Sequence, residues 1–193
     1  MTAILISGPA SEPVSLVEMK AYLRIDDSNE EALITSLITA ARLHVETHLS
    51  IATLTQSWSI FLDDWPSSSQ VEIPISPLIS VDLVNLYDEA GAATLLDAEN
   101  YYIETASRVP RLVRTGTGIW PKPERKASGI EMQITVGYGP AADDVPQNLR
   151  QAIMILVAHW FENRELVSLT DNPIMVPETV SALLHAFRRA RVI

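Results

Sequence analysis

Val14-Ser15-Leu16-Val17-Glu18-Met19-Lys20-Ala21-Tyr22-Leu23-Arg24-Ile25-Asp26 opens a helical run that continues through Glu30-Glu31-Ala32-Leu33-Ile34. Ser15 with Glu18 three residues later is a capping box. Each side chain meets a backbone N–H that the first helical turn leaves unpaired, and Val14 is placed to act as a hydrophobic staple. The first helix should reach about Ile25. Asp26, Asp27 and Ser28 then interrupt the pattern, and Ser28 with Glu31 repeats the capping signature at the head of a second helix. That helix carries Leu33, Ile34, Leu37, Ile38, Ala41, Val45 and Leu49, a stripe at the 3.6-residue period. A second helical run, Val145-Pro146-Gln147-Asn148-Leu149-Arg150-Gln151-Ala152-Ile153, leads to His159-Trp160-Phe161-Glu162-Asn163-Arg164-Glu165. Pro146 suits the first position of this third helix, where its missing N–H costs nothing. The expected buried residues are Leu149, Ile153, Leu156, Val157, Trp160 and Phe161. Leu166 to Val176 reads as a linker, and Pro177 opens a fourth helix with Val180, Leu183, Leu184 and Phe187.

Between the helical runs the period changes to two. Trp58, Ile60 and Leu62 alternate with Ser57, Ser59 and Phe61, and Val71, Ile73 and Ile75 alternate with Glu72 and Pro74. Ile130, Met132, Ile134, Val136 and Tyr138 alternate with Glu131, Gln133, Thr135 and Gly137. Val81–Tyr87 and Ala93–Leu96 flank Asp88-Glu89-Ala90-Gly91, a hairpin signal in which Gly91 is free to take positive φ. Pro74 and Pro77 put their segment at a sheet edge or just outside it. Arg108 to Ser128 lacks periodicity and is rich in Gly, Pro, Lys and Arg, so a long exposed loop is expected there. The fold class that follows is α+β: a helical core of about four helices with an antiparallel β-rich region inserted between helices two and three. The expected boundaries are one domain over 1–193, with helical core 14–52 and 141–193 and insertion 53–140.

The chain has 193 residues, enough for one domain with a real core. It is 47% hydrophobic with a mean hydropathy of +0.14, yet no apolar run approaches the roughly 18 residues of a membrane span, so part of the apolar surface is expected to meet other protein chains. With no cysteine, disulfides, thiolate metal sites and a cysteine nucleophile are excluded. Met1 to Gly8 is apolar without a basic leader, and the expectation is an intracellular protein. The net charge of −10 disfavours tight duplex DNA binding, which comes mainly from Lys and Arg on phosphates. Residues 1–50 carry 3 basic and 7 acidic side chains, whereas Arg188, Arg189 and Arg191 make the carboxyl-terminal end locally cationic.

No catalytic constellation emerges. His44 and His48 stand four apart on one helix face, which is metal-ligand spacing, but zinc needs a third ligand and Val45 occupies the place where the zinc-protease pattern has Glu. His159 and Glu162 supply one i, i+3 pair where a di-iron bundle uses two plus further glutamates. Gly116-Thr117-Gly118 lacks a third glycine and the strand-turn-helix setting, and no phosphate-loop motif exists. The serines form no nucleophile elbow, and Asp63-Asp64 and Asp143-Asp144 fit turns and helix caps. In Phe187-Arg188-Arg189-Ala190-Arg191-Val192-Ile193, three cations interleave with apolar residues. Favourable charge at a helix C-terminus and docking to a partner both explain them. Trp65-Pro66 and Trp120-Pro121 read as rim packing, although Trp is enriched at interface hot spots, and the oligomer-interface candidates are Trp65, Trp120, Trp160 and Arg164.

The order of these segments resembles the head-tail connector (adaptor) family of tailed bacteriophages and gene transfer agents. The likeness rests on Ser15–Leu49, Gln56-Ser57-Trp58, Asp64-Trp65-Pro66, Pro74-Ile75-Ser76-Pro77-Leu78 with Val81, Tyr87-Asp88-Glu89-Ala90-Gly91, Val136-Gly137-Tyr138-Gly139 and Val145–Glu165. It implies a structural protein of the virion with no enzymatic activity and no cofactor, assembled in the bacterial cytoplasm as a ring, typically of twelve subunits, at the head-tail interface. It implies a portal protein on one side, bound through Ala186, Phe187, Arg188, Arg189, Ala190, Arg191, Val192 and Ile193. A stopper or tail-side protein is implied on the other, with DNA traversing the lumen. The alternatives from other classes are a small metal-dependent hydrolase using His44 and His48, and an acidic regulatory binding module.

Overall fold

The computed structural model describes residues 1–107, 109–163 and 176–187. The chain divides into two compact units, one formed by Met1–Pro9 with Thr55–Tyr138 and one by Ala10–Leu54 with Gly139–Ile193. The fold is α+β, with four helices and two antiparallel sheets among the described residues.

The helical unit contains α1 (Leu16–Leu23), α2 (Glu31–Leu49), α3 (Gln147–Glu162) and α4 (Glu178–His185). The capping box forms as expected: Glu18 N donates to Ser15 Oγ at 3.2 Å, and Ser15 N donates to Glu18 Oε2 at 3.0 Å. Val14 and Met19, the two staple positions, are buried. The helix stops at Leu23, earlier than expected, because Arg24 turns left-handed and its N–H bonds back to Ala21 and Lys20. The second capping box does not form. Asn29 N bonds to Asp27 Oδ1 at 3.0 Å in a tight turn, and Glu31 is drawn to Lys20 Nζ at 2.6 Å, so α2 begins without a side-chain cap. Pro146 is the residue before α3 and not its first, and α3 ends at Glu162.

The stripe of α2 buries Ile34, Ile38, Ala41, Val45 and Leu49 against α3, whose Leu149, Ala152, Ile153, Leu156 and Val157 are fully enclosed; α4 adds Val180 and Leu184. Trp160 and Phe161, expected in the core, are only half-buried. The linker expected from Leu166 to Val176 lies outside the described residues, except for Val176.

The β unit holds a five-stranded sheet in the order β1 (Thr2–Ser7), β2 (Gln56–Leu62), β8 (Ile130–Val136), β4 (Leu78–Tyr87), β5 (Ala93–Leu95). It also holds a three-stranded sheet, β3 (Gln70–Glu72), β7 (Arg111–Arg114), β6 (Tyr101–Glu104). Strand β8 sits at the centre, with Ile60 and Val84 opposite Met132 and with Leu62 and Leu86 opposite Ile130. These pairs define the apolar face. Two positions of β4 are bulged, between Leu78 and Ser80 and between Val81 and Leu83, which resets the alternation before Val84. The hairpin at Asp88–Gly91 forms, with Asp88 N bonded to Ala92 O and Gly91 at φ +84°.

Thr2–Ser7 is a strand paired with β2, so the sheet also draws on residues that precede α1. Arg108–Ser128 is not one exposed loop: Arg111–Arg114 is the central strand of the smaller sheet, Leu112 and Val113 are buried, and Trp120 is 8% exposed. The stretch lacked a strand signal because a short central strand covered on both faces shows no alternation.

Candidate functional site

Charges on the apolar stripe of α2 are the first surprise. Arg42 and Glu46 lie one turn apart beside Ile38, Ala41, Val45 and Leu49, and both are buried. Arg42 Nη1 donates to Glu46 Oε2 at 2.9 Å and Arg42 Nε to Glu12 Oε2 at 2.8 Å. Glu46 Oε1 accepts from Thr53 N at 2.8 Å and from Thr53 Oγ1 at 2.7 Å, and Thr39 Oγ1 donates to Glu12 Oε1. Burial pulls the Arg42 guanidinium pKa down, but the bonds it donates to Glu12 and the charge of Glu46 outweigh that and leave the pKa raised. The network ties the segment before α1 and the segment after α2 to the middle of α2. Its sequence signal was an i, i+4 ion pair placed on the apolar side of the helix.

A second charged knot holds α3 to the entry of α1. Arg150 Nε donates to Pro13 O at 2.9 Å, and Arg150 Nη2 meets Glu18 Oε1 at 2.5 Å. The capping N–H of Ser15, opposed by partial burial and reinforced by Arg150, holds the Glu18 carboxyl below its usual range. Glu18 thereby caps α1 and binds α3 with its two oxygens.

His44 and His48 do lie on one face of α2. Their rings stack in parallel at 6.2 Å, and Trp160 meets His44 edge-on at 5.8 Å. With Ala40, Leu43 and Thr47 they line an open groove of about 450 Å³ in the helical unit, where Leu43 is exposed. No third His, Cys, Asp or Glu completes a metal-binding group anywhere among the described residues. His159 and Glu162 likewise join no such group.

Trp65 and Trp120, far apart in sequence, stack in the β unit with centroids 4.2 Å apart and planes 10° from parallel. Trp65 Nε1 donates to Pro121 O at 2.8 Å and Trp120 Nε1 to Ser68 O at 3.4 Å. The pair therefore pins the 115–129 stretch to the turn after β2. Trp65 is half-buried and Trp120 nearly closed off. Arg164 lies outside the described residues, as do Arg188, Arg189, Ala190, Arg191, Val192 and Ile193; Ala186 is exposed and Phe187 half-buried just after α4.

The polar face of the five-stranded sheet was not singled out from the sequence. Glu131 accepts from Ser59 Oγ at 2.6 Å and Tyr87 Oη at 2.6 Å, with Gln133 Nε2 at 3.3 Å. Burial alone would raise the Glu131 pKa, but these donors together lower it. Beside it, Thr135 Oγ1 donates to Asp82 Oδ2 and Ser80 Oγ to Asp82 Oδ1. Glu131 takes three donors and Asp82 two, all from their own sheet, an arrangement that ties neighbouring strands together.

Residues 13–94 match the family model described as phage gp6-like head-tail connector protein. Three solved structures share the fold over 100% of this chain and 98% of theirs. One is a chain of the virion of a native gene transfer agent particle, at 24% identity and TM-score 0.83. The second comes from the neck of an empty particle computed with C6 symmetry, at 23% and 0.86. The third comes from the neck of a native particle computed with C12 symmetry, at 23% and 0.83. No curated protein matches the chain. The family match takes in α1, α2 and β2 to β4 and reaches into β5, and the likeness of fold covers the whole chain.

Proposed function

We propose that this chain is a structural head-tail connector (adaptor) of a phage or gene transfer agent particle, without enzymatic activity of its own. The observation that carries the reading is the coincidence of the connector match at 13–94 with a full-length likeness to chains of particle necks. In this reading the two units act as one connector domain over 1–193. A helical core, 14–52 and 141–193, carries the β-rich region 53–140 as an insertion between helices two and three, and β1 completes its sheet.

Copies form a ring of about twelve at the head-tail interface of the virion, assembled in the bacterial host cytoplasm. Neck structures computed with C6 and C12 symmetry support a ring of repeated subunits. Ala186 to Ile193 engages the portal protein, and the opposite side receives a stopper or tail-side protein. Trp65 and Trp160, each partly exposed, supply ring contacts with Arg164, while Trp120 acts beneath Trp65. DNA crosses the lumen without specific binding, because a wall with a net charge of −10 per chain repels phosphate.

The test is electron microscopy of the purified chain mixed with its portal protein. A ring seated under the portal supports the reading. Deleting residues 186–193 should leave the circular dichroism spectrum unchanged and abolish co-sedimentation with portal; unchanged co-sedimentation refutes the assignment of that segment. Retention of duplex DNA at physiological salt with low-micromolar affinity would refute the proposed channel wall.

A further inference from the structure

Strand β1 is unusual for an edge strand. All six residues of Thr2–Ser7 are exposed, and Ile4, Leu5 and Ile6 show 52%, 46% and 54% of their surface. Among the described residues β1 has one strand neighbour, β2, so every second N–H and C=O points outward from the sheet. Proteins normally guard such an edge with lysine, proline or a covering loop, and Thr-Ala-Ile-Leu-Ile-Ser carries no charge and no proline. The opposite edge of the same sheet, β5, is equally bare: Ala93, Thr94 and Leu95 are uncharged and exposed, Leu95 at 62%. In a chain that is 20% charged, two neutral apolar edges on one sheet are complementary to each other.

From this we infer that β1 of one copy adds to β5 of the next, so that the sheet edges form part of the contact between neighbours in the ring. The inference rests on the ring reading proposed above and specifies its contact. Four successive antiparallel pairings separate β1 from β5, so the two edges run in the same direction. Copies related by a small rotation keep that direction, and the new pair is a parallel one. Pairing β1 with β1 would instead be self-complementary across a two-fold axis and would close as a dimer; a ring needs two different surfaces that meet head to tail.

The chain has no cysteine, so introduced thiols report without background. Ile4→Cys and Leu95→Cys are made singly and together, treated with a short bis-maleimide in the presence and absence of portal protein, and resolved on denaturing gels. A ladder of oligomers from the double variant, with single variants remaining monomeric, is expected, and Leu5→Lys in the double-variant background should remove the ladder while preserving the circular dichroism spectrum. Dimers from Ile4→Cys alone would overturn the inference in favour of two-fold pairing. Rings visible by electron microscopy without a ladder would overturn it and leave the connector reading standing; a ladder without rings would sustain the edge pairing and remove the ring. Neither ladder nor rings would overturn it, with portal co-sedimentation then judging the connector reading separately.

Discussion

Arg42 and Glu46 share a 2.9 Å ion pair on the buried side of α2, at the centre of a network that also takes in Glu12, Thr39 and Thr53. Removing one partner leaves the other charge buried with fewer bonds, which costs more than the intact pair contributes. Glu46→Ala should therefore destabilise the chain by about 3 kcal/mol, and the double variant Arg42→Leu with Glu46→Leu should recover much of that loss. Urea unfolding monitored by circular dichroism gives both values; equal losses for the single and double variants would contradict the argument.

Glu131 contributes to the pH dependence of the β unit, as does Glu104, whose carboxyl is lowered by its bonds from Ser107. The folded pKa of Glu131 is lowered, so its contribution is fully present above the ordinary carboxylate value of 4.5 and is lost as pH falls through the folded value. Stability of the wild-type chain should drop as acid is added below that point, and Glu131→Gln should flatten the drop. Parallel slopes for the two proteins in melting temperature against pH would rule out this role.

Tyr87 Oη donates to Glu131, and that bond raises the Tyr87 pKa above its ordinary value. Tyr87→Phe removes a charge-assisted donor from a buried carboxylate at a cost of about 1.5–3 kcal/mol. It should also shift the acid transition of the wild type to higher pH, since Glu131 then has one donor fewer. Acid titration of tryptophan fluorescence detects the shift, and an unmoved midpoint would refute the link.

Gly129 is fixed by crowding. A Cβ there would stand 2.5 Å from Arg125 O and 2.8 Å from Pro123 Cβ, while Gly129 O accepts from Tyr87 N. Gly129→Ala should cost about 1–3 kcal/mol through displaced backbone. Thermal unfolding checks it; a neutral result would mean that the 123–129 segment yields freely.

The Trp65–Trp120 stack gives a spectroscopic handle on the 115–129 stretch. Trp65→Ala should forfeit about 0.5–1.5 kcal/mol of ring interaction beyond the area lost and raise tryptic cleavage after Arg125 or Lys126, the bond after Lys122 being closed to trypsin by Pro123. Cleavage at the wild-type rate would show that the pair does not pin that stretch.

The capping box at Ser15, the stripes of α2 and α3 and the hairpin at Gly91 were legible because each depends on residues within one or two turns of chain. The same locality explains the resemblance to connectors, which rests on short motifs in a fixed order. The polar partners were not legible: Glu131 finds Ser59 and Tyr87 only because β2 and β4 flank β8, and Glu31 turned to Lys20 when local capping rules assigned it to Ser28. The His44–His48 spacing was legible too, but a metal site needs further ligands from other segments, and Trp160 is what folding brings to His44.

By itself the sequence determined where helices and most strands form, that the chain is acidic, and that no disulfide or thiolate chemistry is open to it. Folding alone decided that Thr2–Ser7 ends up as a bare sheet edge, that Arg111–Arg114 becomes a covered strand, and which charges are buried in pairs. The physical reason is range: caps and periodicity act between near neighbours, whereas burial and strand order depend on segments that meet only after the chain has closed long loops.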